Sequence, residues 1–140
     1  MLNVKKMLTK IANSLGCEYA DATPSSSIYR GHCKCIKDNA SNTVRVHFYF
    51  NSNSNVSTST TLFTIPTGYR PTEETNGSMF YSDANNVGGA YTFKINTSGV
   101  ITQNAGSTIR QGWGYAEYLG GVIRQLLSTL TISERGWSCA

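Results

Sequence analysis

The stretch Leu62 to Pro71, LFTIPTGYRP, restricts what this chain can fold into more than any other. Pro66 has no N–H to give to a sheet ladder, so a strand that runs into it must stop there. Thr67 and Gly68 supply a turn, and Pro71 pushes Arg70 out of the helical region. The segment reads as a strand end, a tight turn and an extended corner.

Composition agrees with a fold of short strands and many turns. Charged residues make up 14%, against about 25% in ordinary soluble proteins. Polarity comes instead from Ser, Thr, Asn and Gly, which suit turns and strands better than long surface helices. At 140 residues one domain is expected, large enough to bury roughly two thirds of its unfolded surface. The net charge of +4 is local. Lys5, Lys6, Lys10, Arg30, Lys34 and Lys37 face only Glu18 and Asp21, and residues 38–140 are neutral. A basic stripe interleaved with aromatics, the footprint of a nucleic-acid binder, is missing, so no nucleic-acid partner is expected. Lysines interrupt the apolar pattern where a leader would need an unbroken run. No stretch reaches the roughly 18 apolar residues of a membrane span, so no membrane insertion is expected.

Cys17, Cys33, Cys35 and Cys139 lack both the density of a disulfide framework and the paired C-x-x-C spacing of a zinc site. They are expected as free thiols, with no metal and no cofactor.

Val4, Leu8, Ile11 and Leu15 recur at heptad spacing, which predicts a helix over Leu2 to Leu15 with Gly16 as its C-cap. Two heptads are too short to stand alone in water, so this seam must pack on its own domain or on copies of itself. Ile28 to Ile36 is a candidate first strand. Thr43 to Phe50 is the clearest one: Val44, Val46, Phe48 and Phe50 point one way, Arg45, His47 and Tyr49 the other. Asn51 to Ser59 reads as a polar loop, Thr60 to Ile65 and Gly77 to Ser82 as strands. Tyr91, Phe93 and Ile95 share one face of a strand that turns at Gly99 into Val100 to Thr102. Thr108 to Gln111 and Trp113 to Leu119 follow. Val122 to Ile132 fits a helix by its leucine spacing and a strand by its alternation, and a strand is preferred.

Chemistry is sparse. Hydrolysis of a glycan needs two carboxylates across one bond, and Asp83 and Glu117 are the only candidates beside the loop pair Glu73-Glu74. No nucleophile elbow, phosphate loop or zinc helix motif occurs, so no enzyme and no catalytic residue is expected. The glycines Gly112, Gly114, Gly120 and Gly121 read as bulge or turn positions. The phenylalanines, Phe48, Phe50, Phe63, Phe80 and Phe93, are assigned to the core. Tyr49, Tyr81, Tyr115, Tyr118 and Trp113 can reach the surface, where rings stack on sugar faces while hydroxyls and amides hydrogen-bond them. The candidate ligand site combines Trp113, Tyr115 and Tyr118 with Asp83 and Asn86, on the expectation that the late strand and the Asp83–Asn86 loop meet.

The corner LFTIPTGYRP resembles the "LP-x-GYRP"-like turn of receptor-binding heads and fibre tips of bacteriophage tails. MLTKIANSLG is similar to the short "LLTKI"-type helix that precedes such tips, and the Asn96-Thr97-Ser98-Gly99 hairpin extends the likeness. The likeness covers residues 2–16 and 43–119. It implies an all-β fold: a jelly-roll-like antiparallel β-sandwich of about eight strands over residues 17–140, preceded by one short N-terminal helix, residues 1–16, that serves oligomerisation. It further implies a homotrimer in the virion tail, assembled in the bacterial host cytoplasm. Other phage tail proteins would be partners, and a bacterial surface polysaccharide the receptor. A purely structural virion or baseplate component is the alternative, and a depolymerase is a third, disfavoured by the scarcity of carboxylates.

Overall fold

The computed structural model describes residues 3–8 and 16–121. Residues 4–8 are helical, and the Asn3 carboxamide oxygen caps them by accepting from the Lys6 N–H at 3.1 Å. The remainder of the predicted seam, Ile11 and Leu15, and the whole tail from Val122 lie outside the described residues.

The body is antiparallel β throughout, as expected. Its strands are β1 (Cys17–Asp21), β2 (Thr23–Pro24), β3 (Ile28–Asp38), β4 (Thr43–Val56), β5 (Phe63–Thr64), β6 (Thr75–Asp83), β7 (Gly88–Ile95), β8 (Val100–Gln103) and β9 (Ile109–Leu119). They form one continuous sheet in the order β1-β3-β4-β9-β6-β7-β8-β5-β2. The two strands that end this order, β1 and β2, are separated in sequence only by Ala22. The Ala22 N–H still reaches the Cys33 carbonyl at 2.9 Å, and the Ser25 N–H already reaches Leu62 at 3.0 Å. One run of chain therefore leaves β3 and joins β5, wrapping the sheet into a nearly closed, barrel-like sandwich. Closure of this kind protects sheet edges.

Four phenylalanines fill the interior. The Phe48 ring meets Phe93 edge-on at 4.8 Å and lies 5.7 Å from Phe63 and 6.1 Å from Phe50, separations typical of favourable aromatic pairs. Gly112 and Gly114 are not turn glycines. They sit mid-strand on the inward face of β9, opposite Phe50 and Phe48. A Cβ on Gly114 would come within 2.4 Å of the Phe48 ring, and one on Gly112 within 2.6 Å of Phe50. The rings need the space the glycines leave.

Further expectations are corrected. Asn51 to Val56 continues β4 rather than looping. Side chains support its irregular register: Arg110 donates to the Asn55 carboxamide at 2.7 Å and to the Asn53 carbonyl at 3.2 Å, and the Ser52 hydroxyl donates to the Ser27 carbonyl at 2.9 Å. Phe80 is outside the core, 66% exposed, because the alternation of β6 turns Met79 inward. Cys17 is disulfide-bonded, while Cys33 and Cys35 are free and buried.

The corner after β5 is a structural lock. Gly68 adopts a φ of 98°, which lets the Tyr69 N–H close a turn on the Pro66 carbonyl at 3.2 Å. Arg70 folds back and donates from Nε to the Ile65 carbonyl at 2.8 Å. The buried Lys37 donates to the Gly68 carbonyl at 3.0 Å and stands 5.1 Å over the Tyr69 ring. Each residue of GYRP thus holds the chain to the barrel, and Pro71 bridges to Gly120.

Candidate functional site

The outer face of β1, β3, β4, β9 and β6 gathers side chains that the chain order keeps far apart. Cross-strand register places His32 opposite Tyr49, Tyr49 opposite Trp113, and Trp113 opposite Phe80. These four rings form one row across four neighbouring strands. The Tyr49 and Trp113 rings lie 5.5 Å apart, His32 and Tyr49 6.2 Å. Trp113 is 45% exposed, so the row presents its edges and faces to solvent. Gln111 donates to the Tyr49 hydroxyl at 3.4 Å.

The next row, about 6.6 Å along the strands, is polar. It runs Asp21, Lys34, His47, Tyr115, Ser78, Thr92. Lys34 and Asp21 form an ion pair at 2.6 Å, and both remain largely solvated. A third row runs Tyr19, Ile36, Arg45, Glu117. Glu117 accepts a hydrogen bond from the Tyr115 hydroxyl at 3.0 Å. Partial burial, and then this bond, raise the Tyr115 phenol above its ordinary value. Between these two rows an open cleft of about 430 Å³ is lined by Tyr19, Asp21, Lys34, Ile36 and His47.

Of the residues assigned to ligand binding from sequence, Trp113 and Tyr115 lie side by side on this face. Tyr118 does not: it points inward, is 8% exposed, and its hydroxyl donates to the Tyr69 carbonyl. Asp83 and Asn86 lie at the β6–β7 turn. The Asp83 carboxylate accepts from the Asn85 N–H at 2.8 Å and the Val87 N–H at 2.9 Å, and Asn86 takes a φ of 59°. Asp83 pairs with Ile109, four residues along β9 from Trp113, or about 13 Å at strand rise. The turn and the ring row are neighbours on the same strands but do not meet. Asp83, level with Ile109, and Glu117 stand eight residues apart along the β6–β9 ladder, about 26 Å of backbone at the same rise, too far for a two-carboxylate site.

Tyr19, His32 and Phe80 are members of the face that sequence reasoning missed. Tyr49 carried a signal in its alternation with Val46, Phe48 and Phe50. Phe80 carried one beside Met79, but a lone phenylalanine reads as core. Among the described residues no cluster of His, Cys, Asp and Glu could hold a metal ion, and no helix is long and apolar enough to cross a membrane. The chain matches no protein-family model, and a comparison with curated proteins returns no match.

Proposed function

We propose that this protein is a receptor-binding module of the phage-tail type. It adheres through the outer face of β4, β9 and β6 to a bacterial cell-surface saccharide, working as a homotrimer in the virion tail beside other tail proteins. The observation that carries the reading is the in-register ring row His32, Tyr49, Trp113, Phe80. Rings in register across neighbouring strands offer stacking planes for sugar rings. The hydroxyls and amides beside them, Gln111, Ser78 and Thr92, offer hydrogen bonds of the kind a sugar accepts and gives. Val4, Met7 and Leu8 on the N-terminal helix are exposed apolar residues, which supports a role for that helix in joining subunits. Three linked weak sites then give tight attachment.

A structural virion component that only contacts other tail proteins is the second reading. It is favoured by Leu119 at 68% exposure, an apolar side chain with neither a ring nor a polar edge to offer a sugar.

A glycan-binding screen against bacterial wall polysaccharides, run on the wild type and on Trp113→Ala, separates the two. The adhesion reading expects binding that Trp113→Ala abolishes while the melting temperature falls by no more than a few degrees. A wild-type protein that binds no polysaccharide, yet captures tail proteins through the same face, would favour the structural role. Light scattering should give three times the 15.3 kDa chain mass. A monomer at micromolar concentration would remove the trimer.

A further inference from the structure

The cleft beside the ring row has its own chemistry. On the saccharide reading, which this inference deepens, we propose that the ligand is an uncharged, linear oligosaccharide lying across the strands, with the Tyr19–Asp21–Lys34–His47 cleft as a second contact point beyond the ring row. The cleft and the row belong to one surface, joined where Lys34 and His47 follow His32 and Tyr49 two residues along β3 and β4. From β1 to β6 the surface crosses four strand gaps, about 19 Å, too long for one terminal sugar to bridge.

The charges on this surface argue for a neutral ligand. Lys34 is already neutralised by Asp21, and Arg45 faces Glu117 across the ladder. With its charges paired, the surface offers an anionic or cationic group no net attraction to offset its desolvation. A vicinal pair of sugar hydroxyls needs none. Lys34 Nζ and Asp21 Oδ1 sit 2.6 Å apart, one a donor and the other an acceptor. Adjacent hydroxyls can give a hydrogen bond to the carboxylate and take one from the ammonium while leaving the pair intact. Tyr19 is 68% exposed, and it adds a second ring plane at the far wall, opposite Ile36.

The test uses the full chain and size-fractionated oligosaccharides released by partial hydrolysis from the wall polysaccharide with the strongest signal in the screen. Tyr19→Ala and the double variant Asp21→Ala/Lys34→Ala should weaken binding of the longer fragments by about tenfold, as loss of a stacking ring does elsewhere. Disaccharide binding and the melting temperature should stay unchanged. Added salt should leave the affinity of the wild type unaltered. Binding that Trp113→Ala abolishes but the cleft variants do not change would overturn this inference and leave the adhesion reading standing. A steep loss of affinity with salt, or selection of charged fragments over neutral ones, would overturn it equally. No binding of any wall polysaccharide would remove both.

Discussion

Tyr118 donates its phenolic hydrogen to the main-chain carbonyl of Tyr69, tying β9 to the corner that follows β5. Tyr69 and Tyr118 are 49 residues apart in the chain, and this bond closes the end of the barrel near Gly120. Tyr118→Phe keeps the ring and removes the donor, leaving a buried carbonyl without this partner. We expect a loss of about 1–2 kcal/mol of unfolding free energy, read as a lower urea midpoint with an unchanged slope.

The same phenol sets an alkaline limit. Burial, with the nearby thiols adding to it, raises Tyr118 well above its ordinary value, which is near 10. The unfolded chain therefore gives up this proton first. The contribution is complete below about pH 10 and is lost as pH rises above it. Stability measured against pH should fall above that point, and Tyr118→Phe should flatten the fall. Tyr69 and Tyr115, whose phenols are raised chiefly by burial, keep a smaller slope in the variant.

Gly114→Ala tests the ring seat. The added methyl would lie 2.4 Å from the Phe48 ring and 2.9 Å from Phe93, and those rings are themselves locked edge to face. Overpacking of this kind costs about 1–3 kcal/mol. Calorimetry should show a clear drop in melting temperature. An unchanged melt would mean that the ring cluster can shift.

Trp113→Ala should behave oppositely. The side chain faces solvent from β9 and its ring partner is Tyr49, so the expected loss is about 1 kcal/mol. A collapsed melt would show that the indole is packing rather than platform.

Cysteine labelling followed by peptide mapping should find Cys33 and Cys35 unreactive in the folded protein and reactive once it is denatured. Their shared hydrogen bond raises the Cys33 thiol and lowers that of Cys35, so the protection of Cys35 rests on its burial. Cys17 should label only after reduction. The two strand neighbours should not bridge each other on oxidation, because side chains two apart on a strand stand farther apart than the roughly 3.8 Å between disulfide Cβ atoms.

Much of the architecture was legible in the residues. Period-two alternation in Val44 to Phe50 showed which face turns inward, because a strand offers each side chain only two directions. In Trp113 to Leu119 the same period puts Tyr118 opposite Trp113 and Tyr115, yet its phenol groups it with them as a surface ring, and it points inward. Pro66, Gly68 and Gly99 marked turns through their backbone limits. Asn51 to Val56 misled because its polar side chains carry a strand by hydrogen-bonding neighbouring segments, a pattern that leaves no hydrophobic period. Gly112 and Gly114 misled because a glycine signals freedom in sequence, whereas here it signals a ring from another strand.

The chain by itself determined that the fold is all-β, where its central strands run and that they bend at a Pro/Gly corner, since these follow from local backbone geometry and alternation. Only the tertiary structure decided which rings share a surface. His32, Tyr49, Trp113 and Phe80 come together through register between β3, β4, β9 and β6, and Tyr19 joins their face through the pairing of β1 with β3. Register depends on long-range pairing across the whole sheet, so no window of sequence contains it.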